Sequence, residues 1–325
     1  MNIKKIGMTA LAASLVSTSV FAGELTASGG ASLNVEGFSG NSGLGSNTDT
    51  AFSMGDSVVL SGSTELDNGL TVTMSYELDG DTETTSSPYD DNSLTIASDA
   101  MGTIKFSAHG GSSASSALDG TAAGDMFDNF DTGLTVTGST TTAAGGGDNS
   151  IFYTLPSMVD GLAVNASLNT TGDTGENALG YSATYTGVDG LSLSYGTADV
   201  NSGLATTSGD QTVMKASYAY GPVTLAYTNS ELKLGAADAE ATGQEVTSYA
   251  VSYTVSDALS VTVGTEVIES GLLNSADAAY EGVTVAYTAG GMTLTAKNQV
   301  ADAISHTTNA NEDYNYWGLG LSFAF

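Results

Sequence analysis

Apolar and small or polar residues alternate with a period of two along most of the chain. The final segment shows this most clearly, with large apolar side chains at every second position: Trp317, Leu319, Leu321, Phe323 and Phe325. The positions between them hold mainly glycine, serine and alanine. Successive side chains of a β-strand point to opposite faces, so the pattern predicts strands with one face suited to lipid and the other suited to water.

Sixteen segments follow this pattern and are predicted to be strands. Their ranges are 24–35, 51–66, 70–78, 92–98, 103–108, 149–156, 162–169, 178–187, 191–197, 211–220, 223–230, 245–255, 259–267, 278–288, 292–300 and 313–325. Eighteen strands is the alternative count, because a weak strand is easily missed or split when alternation alone identifies it. The chain is predicted to be all-β in either case.

The connections between the predicted strands alternate in length. Short turns rich in Asp, Asn and Gly include 67–69 and 188–190. Longer loops lie between the turns, at 36–50, 79–91, 109–148, 170–177, 198–210, 231–244, 268–277 and 301–312. The third of these loops is by far the longest. An even number of strands, with short turns at one rim and longer loops at the other, is typical of bacterial outer-membrane barrels.

The lipid-suited face of these strands indicates that the sheet is closed. A sheet in hydrocarbon cannot leave the amides of an edge strand unpaired, since each unpaired group costs several kcal/mol. Closing the sheet into a barrel removes its edges. With about sixteen strands the interior is too wide for side chains to fill, so it holds water. We therefore predict a closed antiparallel transmembrane β-barrel around a water-filled lumen.

Residues 1–22 have the features of a secretory signal peptide. Lys4 and Lys5 precede an apolar run at 6–20, and Ala22 supplies a small residue at the cleavage site. The remaining chain, 23–325, shows no shift in composition and is predicted to be one outer-membrane barrel domain. It contains no cysteine, so disulfides cannot stabilise the exported protein.

After the signal peptide the chain has four lysines and no arginine, against 36 acidic residues. Phosphate groups are bound mainly by Lys and Arg, so nucleic acid is excluded as a partner. Acidic walls concentrate cations, so we predict a cation-selective pore. Some of the acids are assigned to solvated outer loops: Asp79, Asp81, Glu83, Asp90 and Asp91. The acidic surface is expected to bind divalent cations such as Ca²⁺ only loosely, because no calcium-loop spacing is present.

No arrangement of residues predicts catalysis. His109 and His306 are the only histidines, so a histidine-rich metal site cannot form. No serine lies in a nucleophile-elbow sequence that could recruit either of them. We therefore predict no catalytic, cofactor or metal site, and a channel rather than an enzyme.

Two segments resemble those of Gram-negative general diffusion porins, most closely the alpha-proteobacterial, Rhodobacter-like type. The segment from Tyr316 to Phe325 is similar to the aromatic-rich last strand of these porins. The hairpin from Asn92 to Phe106 resembles the porin pair that leads into the third loop. The resemblance extends over the mature chain. It implies a passive channel for ions and small hydrophilic solutes, in which the third loop folds into the lumen and narrows it.

The resemblance also implies roles for individual residues. Five acids of the third loop would line the constriction: Asp119, Asp125, Asp128, Asp131 and Asp148. Porins usually place several basic residues on the opposite wall, whereas this chain has no arginine to supply them. By strand parity the lysines that face the lumen are Lys105, Lys215 and Lys297. The residues that resemble the signal read by the outer-membrane assembly machinery are Trp317, Leu321, Phe323 and Phe325.

A homotrimer in contact with outer-membrane lipid and lipopolysaccharide is a further implication of the resemblance. The Gly23 ammonium and the Phe325 carboxylate are expected to pair where the first and last strands meet. Two alternatives are left open by the sequence. A substrate-specific channel would have an aromatic ladder along its lumen. A non-channel surface β-protein, such as an adhesin or structural subunit, would be soluble without detergent.

Overall fold

A computed structural model describes residues 25–40, 50–79, 89–118, 120–130, 148–170, 177–200, 209–234, 244–270, 276–304, 306 and 314–325. These ranges contain sixteen strands, in this order: β1 (Leu25–Gly40), β2 (Thr50–Glu65), β3 (Thr71–Asp79), β4 (Tyr89–Ser98), β5 (Gly102–His109), β6 (Ser150–Thr154), β7 (Leu162–Asn169), β8 (Ala178–Val188), β9 (Leu191–Val200), β10 (Gly209–Tyr220), β11 (Val223–Leu234), β12 (Gln244–Ser256), β13 (Leu259–Ser270), β14 (Ala278–Ala289), β15 (Met292–Asp302) and β16 (Tyr314–Ala324). Each of the sixteen predicted ranges overlaps one of these strands.

Every strand pairs with its neighbours in sequence, and β16 pairs with β1 to close the sheet. All of the pairings are antiparallel. A closed sheet leaves no row of unpaired amides facing hydrocarbon, which is the requirement that predicted it. The predicted fold class, a closed antiparallel barrel of about sixteen strands, is confirmed.

The ladder between the first and last strands extends to the final residue. Gly29 N donates to the Phe325 carbonyl oxygen at 2.8 Å, and Phe325 N donates to the Gly29 carbonyl oxygen at 3.0 Å. The Phe325 ring covers Gly29, where an added Cβ would lie 2.9 Å from the ring. The terminal residue therefore belongs to the closure of the barrel. Gly23 lies outside the described residues, so its salt bridge with the Phe325 carboxylate stays a prediction.

The two faces of the sheet differ as the alternation predicts. On β9, Leu193 and Tyr195 point outward and are 43% and 49% exposed on the isolated barrel. Gly196 and Ala198 point inward and are buried. Large apolar side chains on an exposed outer surface are unfavourable in water and favourable in hydrocarbon. We use "outward" and "inward" for these two faces throughout, with "turn rim" for the end near both termini and "loop rim" for the other.

Several strands extend farther toward the loop rim than the alternation predicts. β1 continues to Gly40, and β11 and β12 pair as far as Leu232 and Gln244. Beyond the hydrocarbon both faces of a strand meet water, so the ladder continues after the apolar alternation has ended. Of the five acids assigned to outer loops, Asp81 and Glu83 lie outside the described residues. The other three lie in strands, since Asp79 ends β3 and both Asp90 and Asp91 lie within β4. The assignment of these three acids to an outer loop was wrong.

Glycine permits the tight turns at the turn rim. Gly102 has a φ of +76°, in the left-handed region that L side chains rarely adopt. A Cβ on Gly102 would also collide with the Thr154 carbonyl oxygen of the adjacent strand. This close approach explains why the hairpin between β4 and β5 has glycine at its end.

The predicted signal peptide, residues 1–22, lies outside the described residues and stays a prediction. Within the described ranges, no helix has both the length and the apolar character needed to cross a membrane.

Candidate pore and its constriction

The connection between β5 and β6 lies against the inner wall of the barrel. Its described part covers 110–118, 120–130 and 148–149 and includes two short 3₁₀ helices, Ser116–Leu118 and Met126–Phe130. We call residues 110–130 the inner loop. It contacts inward side chains of successive strands from β7 around to β1, so it follows the wall and does not project from the rim.

The first contacts of the inner loop use hydroxyl and amide groups of the wall. Ala114 N donates to Ser167 Oγ at 2.8 Å, and Ser115 Oγ donates to Gln211 Oε1 at 3.3 Å. The Ser115 side chain is fully buried. Buried polar groups are stable only when they are hydrogen-bonded, so these contacts fix the beginning of the loop on β7 and β10.

The middle of the inner loop is fixed through its backbone. Lys215 Nζ donates to the Gly120 carbonyl oxygen at 2.5 Å. Ala122 N donates to Thr228 Oγ1 at 3.0 Å, and Ala123 N donates to Ser248 Oγ at 3.0 Å. Small inward residues on β10 to β12 allow the loop backbone to approach the wall this closely.

Glu266 of β13 is a buried acid that holds the inner loop at two points. The Thr121 hydroxyl donates to Glu266 Oε1, and Phe127 N donates to Glu266 Oε2 at 3.3 Å. The residue is fully buried. A buried carboxyl group is costly unless it is hydrogen-bonded, so the loop and the wall stabilise each other here.

The second 3₁₀ helix packs into an apolar cluster inside the barrel. Phe130 is 1% exposed, and its ring centroid lies 5.5 Å from that of Tyr280 and 6.0 Å from that of Tyr316. Phe38 of β1 completes the ring contacts at 6.3 Å from Phe130. The remaining members of the cluster are Met126, Phe127, Val246, Ile268, Ala278, Ala301, Ile304 and Tyr314. This cluster is the principal apolar core among the described residues.

Gly264 of β13 lies where the inner loop closely approaches the wall. A Cβ on Gly264 would lie 2.5 Å from Ala123 Cβ. We expect Gly264→Ala to displace the loop, at an overpacking cost of about 1–3 kcal/mol, and to increase proteolytic cleavage within it. Gly62→Ala is the matched control, because an added Cβ there meets nothing within 4 Å. Equal cleavage of the two variants would contradict the contact.

The wall from β1 to β5 is the part that the inner loop leaves largely uncovered. The loop meets it at Phe38 and at Asp91, where a Cβ on Gly110 would lie 2.7 Å from the carboxyl carbon. Register places five acids on its inward face: Glu36, Glu65, Glu77, Asp79 and Asp91. Glu77 and Asp91 lie directly opposite each other on β3 and β4. Lys105 of β5 is the inward basic residue of this wall, opposite Thr95. The open side of the lumen is therefore mainly acidic and otherwise lined by serine and threonine.

The structure describes three of the five acids predicted for the constriction. Asp125 Oδ1 accepts a hydrogen bond from Thr121 N at 2.8 Å, so it closes a turn within the inner loop. Asp128 lies on the second 3₁₀ helix and is exposed. Asp148 lies at the base of the loop, where its Oδ1 is 3.1 Å from His109 Nδ1. Asp119 and Asp131 lie outside the described residues.

The three lysines predicted to face the lumen occupy inward positions of β5, β10 and β15. They differ in their surroundings. Lys215 contacts the loop backbone, whereas Lys105 and Lys297 form no ion pair with any described residue. The predicted assembly residues Trp317, Leu321, Phe323 and Phe325 lie on the outward face of β16 or at its end.

Sequence reasoning missed Glu266 and the apolar cluster around Phe130. No local signal marked Glu266, because an acid at an inward position close to the predicted loop 268–277 is also typical of a wall that faces water. A signal for the cluster was present, since aromatic residues at inward positions, such as Tyr280 and Tyr316, depart from the polar inner face. They mark places where the inner face meets the loop and not water.

Comparison with known proteins supports the same fold. A family profile described as Gram-negative porin matches residues 7–325. No curated protein matches the chain in sequence. The solved anion-selective porin from Comamonas acidovorans is 17% identical, with a TM-score of 0.67 over 93% of this chain and 99% of that one. A triple mutant of Rhodopseudomonas blastica porin is 15% identical, with a TM-score of 0.64 over 93% and 100% of the two chains.

A third solved structure, Salmonella typhi OmpF in complex with daunomycin, is 14% identical, with a TM-score of 0.65 over 93% of this chain and 98% of that one. At such low identities the structural likeness establishes the fold, and the profile establishes the family. The fold and the family are those of channels and not of enzymes. The chain belongs to the Gram-negative porin family of outer-membrane diffusion channels.

Proposed function

We propose that this porin is a passive, cation-selective channel for ions and small hydrophilic solutes, and that its inner loop forms the constriction. The observation that supports the constriction most directly is the attachment of residues 110–130 along the inner wall from β7 to β1. Solutes then pass between the inner loop and the uncovered wall of β1 to β5. Their own gradients drive them, since the described lumen contains no element that couples transport to an energy source.

The charges of the uncovered wall support cation selectivity. Glu36, Glu77, Asp79 and Asp91 share its inward face with Lys105. In a narrow channel with low-dielectric walls, an excess of carboxylates raises the local concentration of cations. Asp128 of the inner loop is exposed, and we propose that it adds a further negative charge to the passage.

Fold alone does not determine the sign of the selectivity. The Comamonas acidovorans porin has the same fold and is named as anion-selective. Selectivity therefore has to come from the residues of each lumen. In this chain the absence of arginine and the 36 acidic residues favour cations.

The assembly and surroundings of the channel are also proposals. A homotrimer is proposed from family membership, with outer-membrane lipid and lipopolysaccharide around the remaining outward surface. The outward side chains of β16, from Trp317 to Phe325, are proposed to be read by the outer-membrane assembly machinery after the signal peptide is removed. The acidic loop rim would bind divalent cations such as Ca²⁺ loosely through carboxylate oxygens.

The proposed selectivity is tested by the zero-current potential of the mature protein in a planar bilayer under a KCl gradient. We expect the zero-current potential to favour K⁺. This potential should decrease as the salt concentration rises, because screening shortens the range of the wall charges. Asp91→Asn should reduce the potential, because it removes one inward carboxylate. Asp257→Asn, in a turn at the other rim, is the matched control. A potential that favours Cl⁻ would overturn the proposed selectivity and leave the channel intact.

A further inference from the structure

The inward face of β16 has two successive glycines, Gly318 and Gly320, where its neighbours have polar side chains. Register places one side chain of β1 and one of β15 beside each glycine: Glu36 and Lys297 beside Gly318, and Asn34 and Thr295 beside Gly320. With no side chains at these two positions, the wall forms a shallow groove, in which the Tyr316 hydroxyl group lies over Gly318 and the Asn34 amide over Gly320. We call these six residues the glycine groove.

The groove is part of a cavity of about 350 Å³ that the inner loop covers on the side of the loop rim. Asn129 of the loop and Tyr316 line this cavity together with the glycine groove. The glycines allow two polar side chains to lie close to the backbone of β16 at the floor of this cavity. A Cβ on Gly318 would lie 2.5 Å from Tyr316 Oη, and a Cβ on Gly320 would lie 2.9 Å from Asn34 Oδ1.

Opposite charges stand on the two sides of the groove. Glu36 Oε2 accepts a hydrogen bond from Tyr316 Oη at 3.0 Å, which orients the carboxyl group and leaves its second oxygen for a ligand. Lys297 is half-buried and forms no ion pair with any residue of the described ranges, Glu36 included. The groove therefore presents an oriented carboxylate and an ammonium group that do not neutralise each other by contact.

The loop adds an acceptor above the groove. Asn129 Nδ2 donates to Gln299 Oε1 at 3.0 Å and to the Met126 carbonyl oxygen at 3.3 Å. These two bonds fix the amide and leave its Oδ1 as an acceptor in the cavity. An ammonium group near Glu36 would find this oxygen as a second partner.

The spacing of the charges selects a ligand class. β1 and β15 are separated by two strand spacings, about 9.6 Å. With each charged group above its own strand, two charge-assisted hydrogen bonds of about 2.8 Å leave about 4 Å between the charged groups of a ligand. A small zwitterion such as an amino acid can bridge this spacing, whereas an extended or singly charged solute cannot contact both groups in the same way. We propose that the glycine groove is a binding subsite for zwitterionic amino acids, with the ammonium at Glu36 and the carboxylate at Lys297. This inference rests on the proposed function, since the solute must first enter the channel.

The subsite is tested by the single-channel conductance of the mature protein in KCl with added L-serine. Bound serine obstructs the passage, so we expect the conductance to decrease along a saturating curve. Glycerol has a similar size and no charge, and should reduce the conductance only in proportion to the bulk conductivity. Glu36→Gln and Lys297→Met should each weaken the apparent affinity for serine about tenfold, because each removes one charge-assisted hydrogen bond.

A charge swap separates binding from a structural role of the two residues. A zwitterion can turn around, so the double variant Glu36→Lys with Lys297→Glu should recover the saturating block that each single variant loses. Lys233→Met is the matched control, since it removes the same charge from the outward face, where Lys233 pairs with Glu231 at 2.7 Å. It should leave the block by serine unchanged. Folding of each variant is checked by heat-modifiable electrophoretic mobility.

The outcomes distinguish the subsite from the channel itself. A normal conductance with identical, linear effects of serine and glycerol would overturn the subsite and leave the proposed function standing. The subsite would also be overturned if serine failed to block the double variant, as it fails to block the single variants, although all three fold. The absence of any conductance from folded wild-type protein would overturn the proposed function, and the subsite with it.

Discussion

Phe130→Ala is expected to detach the end of the inner loop from the wall and to raise the single-channel conductance. Phe130 is 1% exposed and contacts the rings of Phe38, Tyr280 and Tyr316. Truncating a buried phenylalanine in a packed cluster costs about 3–5 kcal/mol. The barrel is held by its own ladder, so this cost should appear as detachment of the loop while the barrel stays folded.

The matched control for Phe130→Ala is Phe106→Ala, the same truncation on the outward face of β5. Phe106 is 39% exposed and makes no contact with the inner loop among those described. Its conductance and its cleavage by chymotrypsin within residues 110–130 should stay at wild-type values. If Phe130→Ala also kept the wild-type conductance, the apolar cluster would not determine the width of the pore.

Glu266→Ala is expected to release the middle of the same loop by a different route. It leaves the Thr121 hydroxyl and Phe127 N without their acceptor. Each buried donor left unsatisfied costs about 1–3 kcal/mol, and two are lost here. We expect a larger conductance and faster proteolysis of the loop. Glu266→Gln should be intermediate, because it keeps one acceptor oxygen for the two donors.

Glu269→Ala serves as the control for Glu266→Ala, since it removes an exposed, outward carboxylate from the same strand. A loop that opened equally in the two variants would show that net charge, and not the buried hydrogen bonds, fixes its position. In that case high salt should abolish the difference between the wild type and both variants, because screening removes the effect of the charge in the wild type.

The barrel was predictable from the sequence because two solvents act on each strand. In β16 the outward Trp317, Leu321 and Phe323 alternate with small inward residues, and this period of two marks both the strand and its faces. The ends of the strands were predicted less well where the two faces no longer meet different solvents. β1, β11 and β12 continue to Gly40, Leu234 and Gln244, where the apolar alternation has ended and only the hydrogen-bonded ladder shows the strand.

The constriction was less predictable, because it depends on contacts between residues far apart in the chain. Thr121 and Glu266 are separated by 145 positions, and no local pattern relates them. Position in the third loop suggested Asp125 and Asp148 as constriction acids. In the structure Asp125 accepts a hydrogen bond within the loop and Asp148 lies beside His109, and these contacts do not test whether the two acids line the passage. Asp119 and Asp131 lie outside the described residues, so a role in contacting passing ions stays a prediction for them too.

The attachment of the inner loop has a consequence for a cell whose surroundings change in salinity. Its described contacts with the wall are mainly hydroxyl groups, backbone amides and aromatic rings, with Lys215 and the buried Glu266 as the exceptions. Such contacts are weakly screened by salt, whereas the carboxylates along the passage are strongly screened. The size limit for solutes should therefore stay constant between fresh and saline water, while the preference for cations declines as salinity rises.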